Sequence, residues 1–161
     1  MKSFLIKPGS ALLVFSLIYF GNRFVQSYLG EQARANIPIE VHTLQVGLDQ
    51  AKAHNKLIIA DYSAIWCPSC RKLDSQIYAD LKVAETIDSH FVLVKIEHDS
   101  AQGEMFAKQY GLTGFPRVLV FDQDGQRMTE MPLTFDAQAY NANLQKVVHA
   151  YSRPVADITG N

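Results

Sequence analysis

Residues 59–72 read IADYSAIWCPSCRK. The chain has two cysteines, Cys67 and Cys70, and both fall in this stretch with Pro68 and Ser69 between them. The preceding run, KLIIADYS, is apolar and of strand length, so it reads as a buried central strand. After the pair, Leu73, Ile77, Leu81 and Ala84 recur at helical spacing, with a break expected near Asp80. The local reading is a strand, a short loop through Trp66, and a helix that starts at the cysteines.

Several chemistries use two cysteines at this spacing. A structural zinc site needs four ligands, usually a second pair or closely spaced histidines. Here His42, His54, His90, His98 and His149 are dispersed and read as surface residues. Covalent haem attachment needs a histidine directly after the second cysteine, a position held by Arg71. A purely structural disulfide across two residues closes a very small loop and gains little chain entropy.

A redox pair fits better. At the helix start, unpaired backbone N–H groups and the positive end of the helix dipole would face the Cys67 sulfur. Both favour a thiolate over a thiol. Pro68 suits the first helical position, where no N–H is needed. Arg71 and Lys72 add positive charge within a turn. Cys67 is expected to be exposed and to attack. Cys70, one turn on and more buried, is expected to resolve the mixed disulfide.

The stretch ADYSAIWCPSC resembles the active-site segment of the thioredoxin superfamily, in which a strand bearing an acid leads into W-C-x-x-C. GLTGFPRVLVFDQDG resembles that family's second signature, a proline before a strand and turn, and VLVKIEHD resembles the strand between them. The resemblance spans roughly Val41 to Tyr151. It implies a thiol:disulfide oxidoreductase with catalytic Cys67, Cys70, Asp61 and Lys95, and with Trp66, Pro68, Phe115 and Pro116 facing substrate. Asp61 is implied as the buried proton acceptor for Cys70, a role suited to a desolvated carboxylate; a strand-end carboxylate reaching water is the alternative. Lys95 is implied to hold that acid's charge, or else it snorkels to solvent. Trp66 could instead pack in the core. Pro116 is implied to be cis and opposite the cysteines, and the Phe115 backbone to pair with an extended substrate. The Pro-Ser dipeptide departs from the Gly-Pro of reducing thioredoxins, but the Asp61/Lys95 arrangement resembles reductants, so reduction is the expected direction. No cofactor is implied. The alternative is an envelope copper(I)-binding protein that uses both thiolates, with His98 as the best third ligand. An adaptor that only binds peptides is a third option.

Working outward, IPIEVHT alternates apolar and polar residues and reads as a short strand. LQVGLDQAKAHNK, AQGEMFAKQYGL and FDAQAYNANLQKVVHAYS read as helices, HFVLVKIEHD as a second buried strand, and GFPRVLVFDQDGQRMTEM as a hairpin turning at Asp124-Gly125. Alternating strands and helices imply parallel pairing with crossovers, and the hairpin adds an antiparallel part. The expected fold class is α/β, a thioredoxin fold with a central mixed sheet flanked by helices on both faces. The expected organisation is a hydrophobic N-terminal helix and linker over 1–35, the domain over 36–152, and a frayed tail over 153–161.

The N-terminus carries Lys2 and Lys7, then an uncharged apolar block from Ala11 to Phe20. That pattern reads as an export signal or, preferably, an uncleaved anchor. The block is shorter than the ~20 apolar residues of a bilayer span and needs Arg23 to snorkel if it is to be extended. The expected location is therefore periplasmic or extracytoplasmic, tethered to the inner membrane, in a redox-managed compartment. Over the 161 residues, 48% are hydrophobic and 19% charged, with a net charge of -1, which sets aside disorder and a nucleic-acid partner. The expected partners are cysteine-containing protein substrates and a redox partner protein. No second domain for dimerisation is visible, so a monomer is expected.

Overall fold

The computed structural model describes residues 8–151. Lys2, Lys7 and the tail 153–161 lie outside the described residues. Helix α1 spans Pro8–Ala35, and β1 (Val41–His42), α2 (Leu44–His54) and β2 (Leu57–Ser63) follow. Next come α3 (Pro68–Leu73), a π-helical turn (Asp74–Tyr78), α4 (Leu81–His90) and β3 (Phe91–Glu97). The chain closes with α5 (Ala101–Tyr110), β4 (Arg117–Phe121), β5 (Arg127–Glu130) and α6 (Ala137–Tyr151).

The five strands form one sheet in the order β1-β3-β2-β4-β5. β3 runs parallel to both β1 and β2, whereas β4 is antiparallel to β2 and β5. Every residue of β2 is buried, as its apolar run requires of a strand covered on both faces. Alternation along β2 sends Leu57 and Ile59 to one core with Leu73, Ile77, Ile87, Tyr140 and Leu144. Ile58, Ala60 and Tyr62 go to the other, with Ala51, Phe106 and Phe121. Thus α3, α4 and α6 cover one face, and α2 and α5 the other. By the same period, Asp61 points to the α3 side.

Local signals explain the boundaries. Asn55 ends α2 in the left-handed region, and Gly111 ends α5 there at φ 64°. The break expected near Asp80 is real: Asp80 Oδ1 accepts the N–H groups of Lys82 and Val83 at 3.0 and 3.1 Å and starts α4. The strand expected over IPIEVHT is shorter than its pattern. Only Val41 and His42 pair with β3, while Ile37 and Ile39 pack on the core as unpaired chain.

α1 has two halves of different character. From Leu12 to Phe20 its large apolar side chains are exposed. From Arg23 onward it lies against α3 and the loop before it. The backbone of Gly30 touches that loop so closely that a Cβ there would sit 1.9 Å from the Ile65 carbonyl oxygen. Ala33 is buried, and Arg34 pairs with Glu97 at 3.5 Å. No helix among the described residues is long and apolar enough to cross a membrane. The expected membrane-spanning anchor therefore finds no support in α1, whose apolar block gives way at Gly21-Asn22-Arg23 to a half that docks by one face and leaves Phe24, Val25, Tyr28 and Leu29 exposed.

Candidate active site

β2 is the central strand between β3 and β4, and it delivers the site. Beyond Ser63 the chain leaves the sheet through Ala64, Ile65 and Trp66 and enters α3 at Cys67. The Cys67 backbone is extended and Pro68 occupies the first helical turn. The Cys67 sulfur accepts the Cys70 backbone N–H at 3.2 Å, and Ser69 Oγ lies 3.1 Å from it. The side chain of Cys67 thus caps the helix, a use of a sulfur for one of the N–H groups a helix start leaves unpaired. Both cysteines are free thiols. Burial pushes the Cys70 thiol well up, and its contact with the Cys67 side chain adds to this.

Cys67 is not exposed as the sequence suggested. It is 4% exposed and Cys70 is 2% exposed. Trp66 and Phe115 pack against the cluster that Ala64, Cys67 and Cys70 form, and they meet each other edge to face at 5.5 Å. Trp66 and Phe115 are half-buried, Pro68 is exposed and Pro116 is buried. The Phe115–Pro116 peptide bond is cis.

Beneath the pair lies a buried trio of charges. Asp61 and Lys95 face each other across β2 and β3. Lys95 Nζ donates to Asp61 Oδ2 at 2.6 Å and also to Asp74 Oδ1. Lys95 therefore does not snorkel to water, and Asp61 does not reach it. Asp61 is 0% exposed, and its second oxygen, Oδ1, has no protein hydrogen-bond partner. Burial pushes the Asp74 carboxyl up, although Lys95 opposes this. Burial alone would lower Lys95, but the two carboxylates outweigh it and hold its ammonium above the usual lysine range.

Sequence reasoning missed Asp74. The signal was available: it stands four residues after Cys70, on the same helical face, next to the core residue Leu73.

A second charged group sits at the surface beside Trp66. The indole N–H donates to Asp99 Oδ2 at 2.7 Å. Arg23 of α1 pairs with that same oxygen, and its guanidinium carbon lies 4.7 Å from the Trp66 ring centroid. Arg71 donates to Gln26 of α1. His98 lies 4.7 Å from the Phe115 ring, tilted 43° to it, and shares a hydrogen bond with the Tyr62 hydroxyl through Nδ1. Among the described residues, no three His, Cys, Asp or Glu side chains gather as a metal site. His98, already engaged by Tyr62, is not joined to the cysteines as a third ligand.

The Thioredoxin-like domain family matches residues 44–147. A thiol:disulfide interchange protein DsbD from Pseudomonas fluorescens is 30% identical over 104 residues, which cover 64% of this chain and 18% of that protein. This chain thus spans less than a fifth of that relative. Thioredoxin H4 of Arabidopsis thaliana is 38% identical over 87 residues, 54% of this chain and 66% of that one. Among solved structures, a thioredoxin from Thermus thermophilus superposes with a TM-score of 0.60 at 18% identity, over 68% of this chain and 87% of that one. That last likeness concerns the fold.

Proposed function

The chain belongs to the Thioredoxin-like domain family and has a thioredoxin fold, and from that premise we propose that it is a thiol:disulfide oxidoreductase that reduces disulfides in other proteins. The observation that carries this reading is the Cys67 sulfur capping α3, one turn before Cys70, which is buried. In the proposed cycle the Cys67 thiolate attacks one sulfur of a substrate disulfide. A new S–S bond forms, and the other substrate sulfur leaves as a thiolate. Cys70 then gives up its proton, for which the buried, unpartnered Asp61 Oδ1 is the proposed acceptor, and attacks the Cys67 sulfur. The mixed disulfide breaks, the second substrate thiol is released, and Cys67 and Cys70 end as a disulfide. The substrate has gained two electrons, which a redox partner must replace.

The state of Cys70 supports the reducing direction. To donate a disulfide, the protein must let Cys70 leave as a thiolate when a substrate thiol attacks Cys67. Burial opposes that charge, and a poor leaving group keeps the disulfide in place. Lys95 and Asp74 are proposed to fix the orientation of Asp61. Trp66, Pro68, Phe115 and Pro116 are proposed to border the bound substrate.

The test is a pair of measurements. Cys70→Ser should accumulate a mixed disulfide through Cys67, and Cys67→Ser should accumulate none. The couple should poise near the thioredoxin level of about −270 mV, and a value near about −120 mV would make it an oxidant instead.

The finer proposal is one of place: a monomer in the cell envelope, acting on exported proteins, with the exposed apolar block of α1 held against lipid. The exposure of Leu12, Leu13, Phe15, Leu17, Ile18 and Phe20 supports it. Cell fractionation of the chain with and without residues 11–20 checks it, and a parent chain recovered wholly in the soluble fraction overturns it.

A further inference from the structure

The docked half of α1 reaches the redox pair through a side chain that no motif marks. Trp66 is held on three sides. Its N–H is bonded to Asp99, its ring carries the Arg23 guanidinium, and its edge meets Phe115. Arg23 completes the triangle by pairing with the same Asp99 oxygen. The next residue in the chain is Cys67, whose sulfur must meet a disulfide and yet is covered. The rest of α1 keeps Arg23 in place independently of Trp66. Gly30 lies on the Ile65 carbonyl, and Arg34 pairs with Glu97, whose other oxygen accepts the Ile65 N–H at 2.9 Å.

We infer that Arg23 is a positioning residue of the redox site: it clamps the Trp66 indole over Cys67, and release of that clamp admits the substrate disulfide. The inference rests on the proposed role of Cys67 as the attacking thiol. An arginine suits the task because its flat guanidinium stacks on the indole while its edge serves a carboxylate. The clamp lies at the surface, with Arg23 and Asp99 side chains 38% and 41% exposed, so water can replace its bonds as it opens.

The experiment reads access to the sulfur without turnover. Reduced full-length protein, in a Cys70→Ser background so that one thiol reacts, is alkylated with iodoacetamide across a pH series. The midpoint of the rate profile follows the thiolate fraction, and the high-pH plateau follows access. Arg23→Ala should raise the plateau at least fivefold. Acrylamide quenching of Trp66, the single tryptophan of the chain, should rise with it. Arg23→Lys, which keeps the charge and loses the flat stack, should fall between the two. Asp99→Ala removes the oxygen that both Trp66 and Arg23 use and should show the same rise, which keeps the test decisive if Arg23→Ala disturbs α1. A plateau within twofold of the parent in the folded variants, or one that falls, overturns the clamp. Failure of the parent protein to reduce any disulfide would instead strike the oxidoreductase reading and leave the plateau comparison intact.

Discussion

Two charged trios flank the cysteine pair, one buried and one wet. Asp61, Lys95 and Asp74 lie on the inner side, with exposures of 0%, 9% and 3%. Arg23, Trp66 and Asp99 lie on the outer side, where both charged side chains are more than a third exposed. Each has a cation shared between two partners, and the chemistry of the pairs is similar. Water separates their roles. In the inner trio each charge depends on its partners, because nothing else solvates it. In the outer trio solvent substitutes for any bond that breaks. The inner group is therefore suited to holding a proton and a fold in place, and the outer one to opening and closing.

Replacing Lys95 with Met tests that contrast most severely. It strands two carboxylates in the core beneath Cys70, and the expected loss is about 3–5 kcal/mol of unfolding free energy, read by urea denaturation. A loss below about 1 kcal/mol would erase the distinction between the trios. A pH series on Cys70 sharpens the same point. Its folded-state value is raised above the ordinary thiol value of 9.0. The folded state therefore favours the protonated thiol, and its contribution to stability is complete below about pH 8 and lost as pH climbs past 9. Relative to Cys70→Ala, the reduced parent should lose stability above pH 9 with a slope approaching ~1.4 kcal/mol per pH unit, the value for one proton. A flat difference across pH 7–10 would show that Cys70 is freely solvated. The smallest effect is expected outside: Arg23→Ala should change unfolding free energy by about 0–1 kcal/mol. A cost near that of Lys95→Met would make the outer trio a structural element.

How far these features could be read in advance depended on the range of the interactions behind them. β2, the start of α3 and the break at Asp80 rest on local pattern and capping, and the chain spells those out. Asp61 and Lys95 came through resemblance to a family, and β-sheet register then set them face to face. Asp74 was within reach of helical spacing from Cys70 but carried no motif. Trp66 and Phe115 beside the cysteines also came through that resemblance, but the burial of Cys67 and the contact of Arg23 with Trp66 were out of reach, because they depend on how α1 docks against a loop more than forty positions away. Ile37 and Ile39 misled in the opposite way. Their alternation came from plugging a core, and so the strand expected there shrank to Val41 and His42.

Gly30 carries one more consequence. A helix whose bare backbone rests on the Ile65 carbonyl leaves no slack between α1 and the two residues that precede Cys67. Helix and loop then form a single mechanical linkage. A shift of α1 along its axis meets the Ile65 peptide as well as the Arg23 and Gln26 side chains.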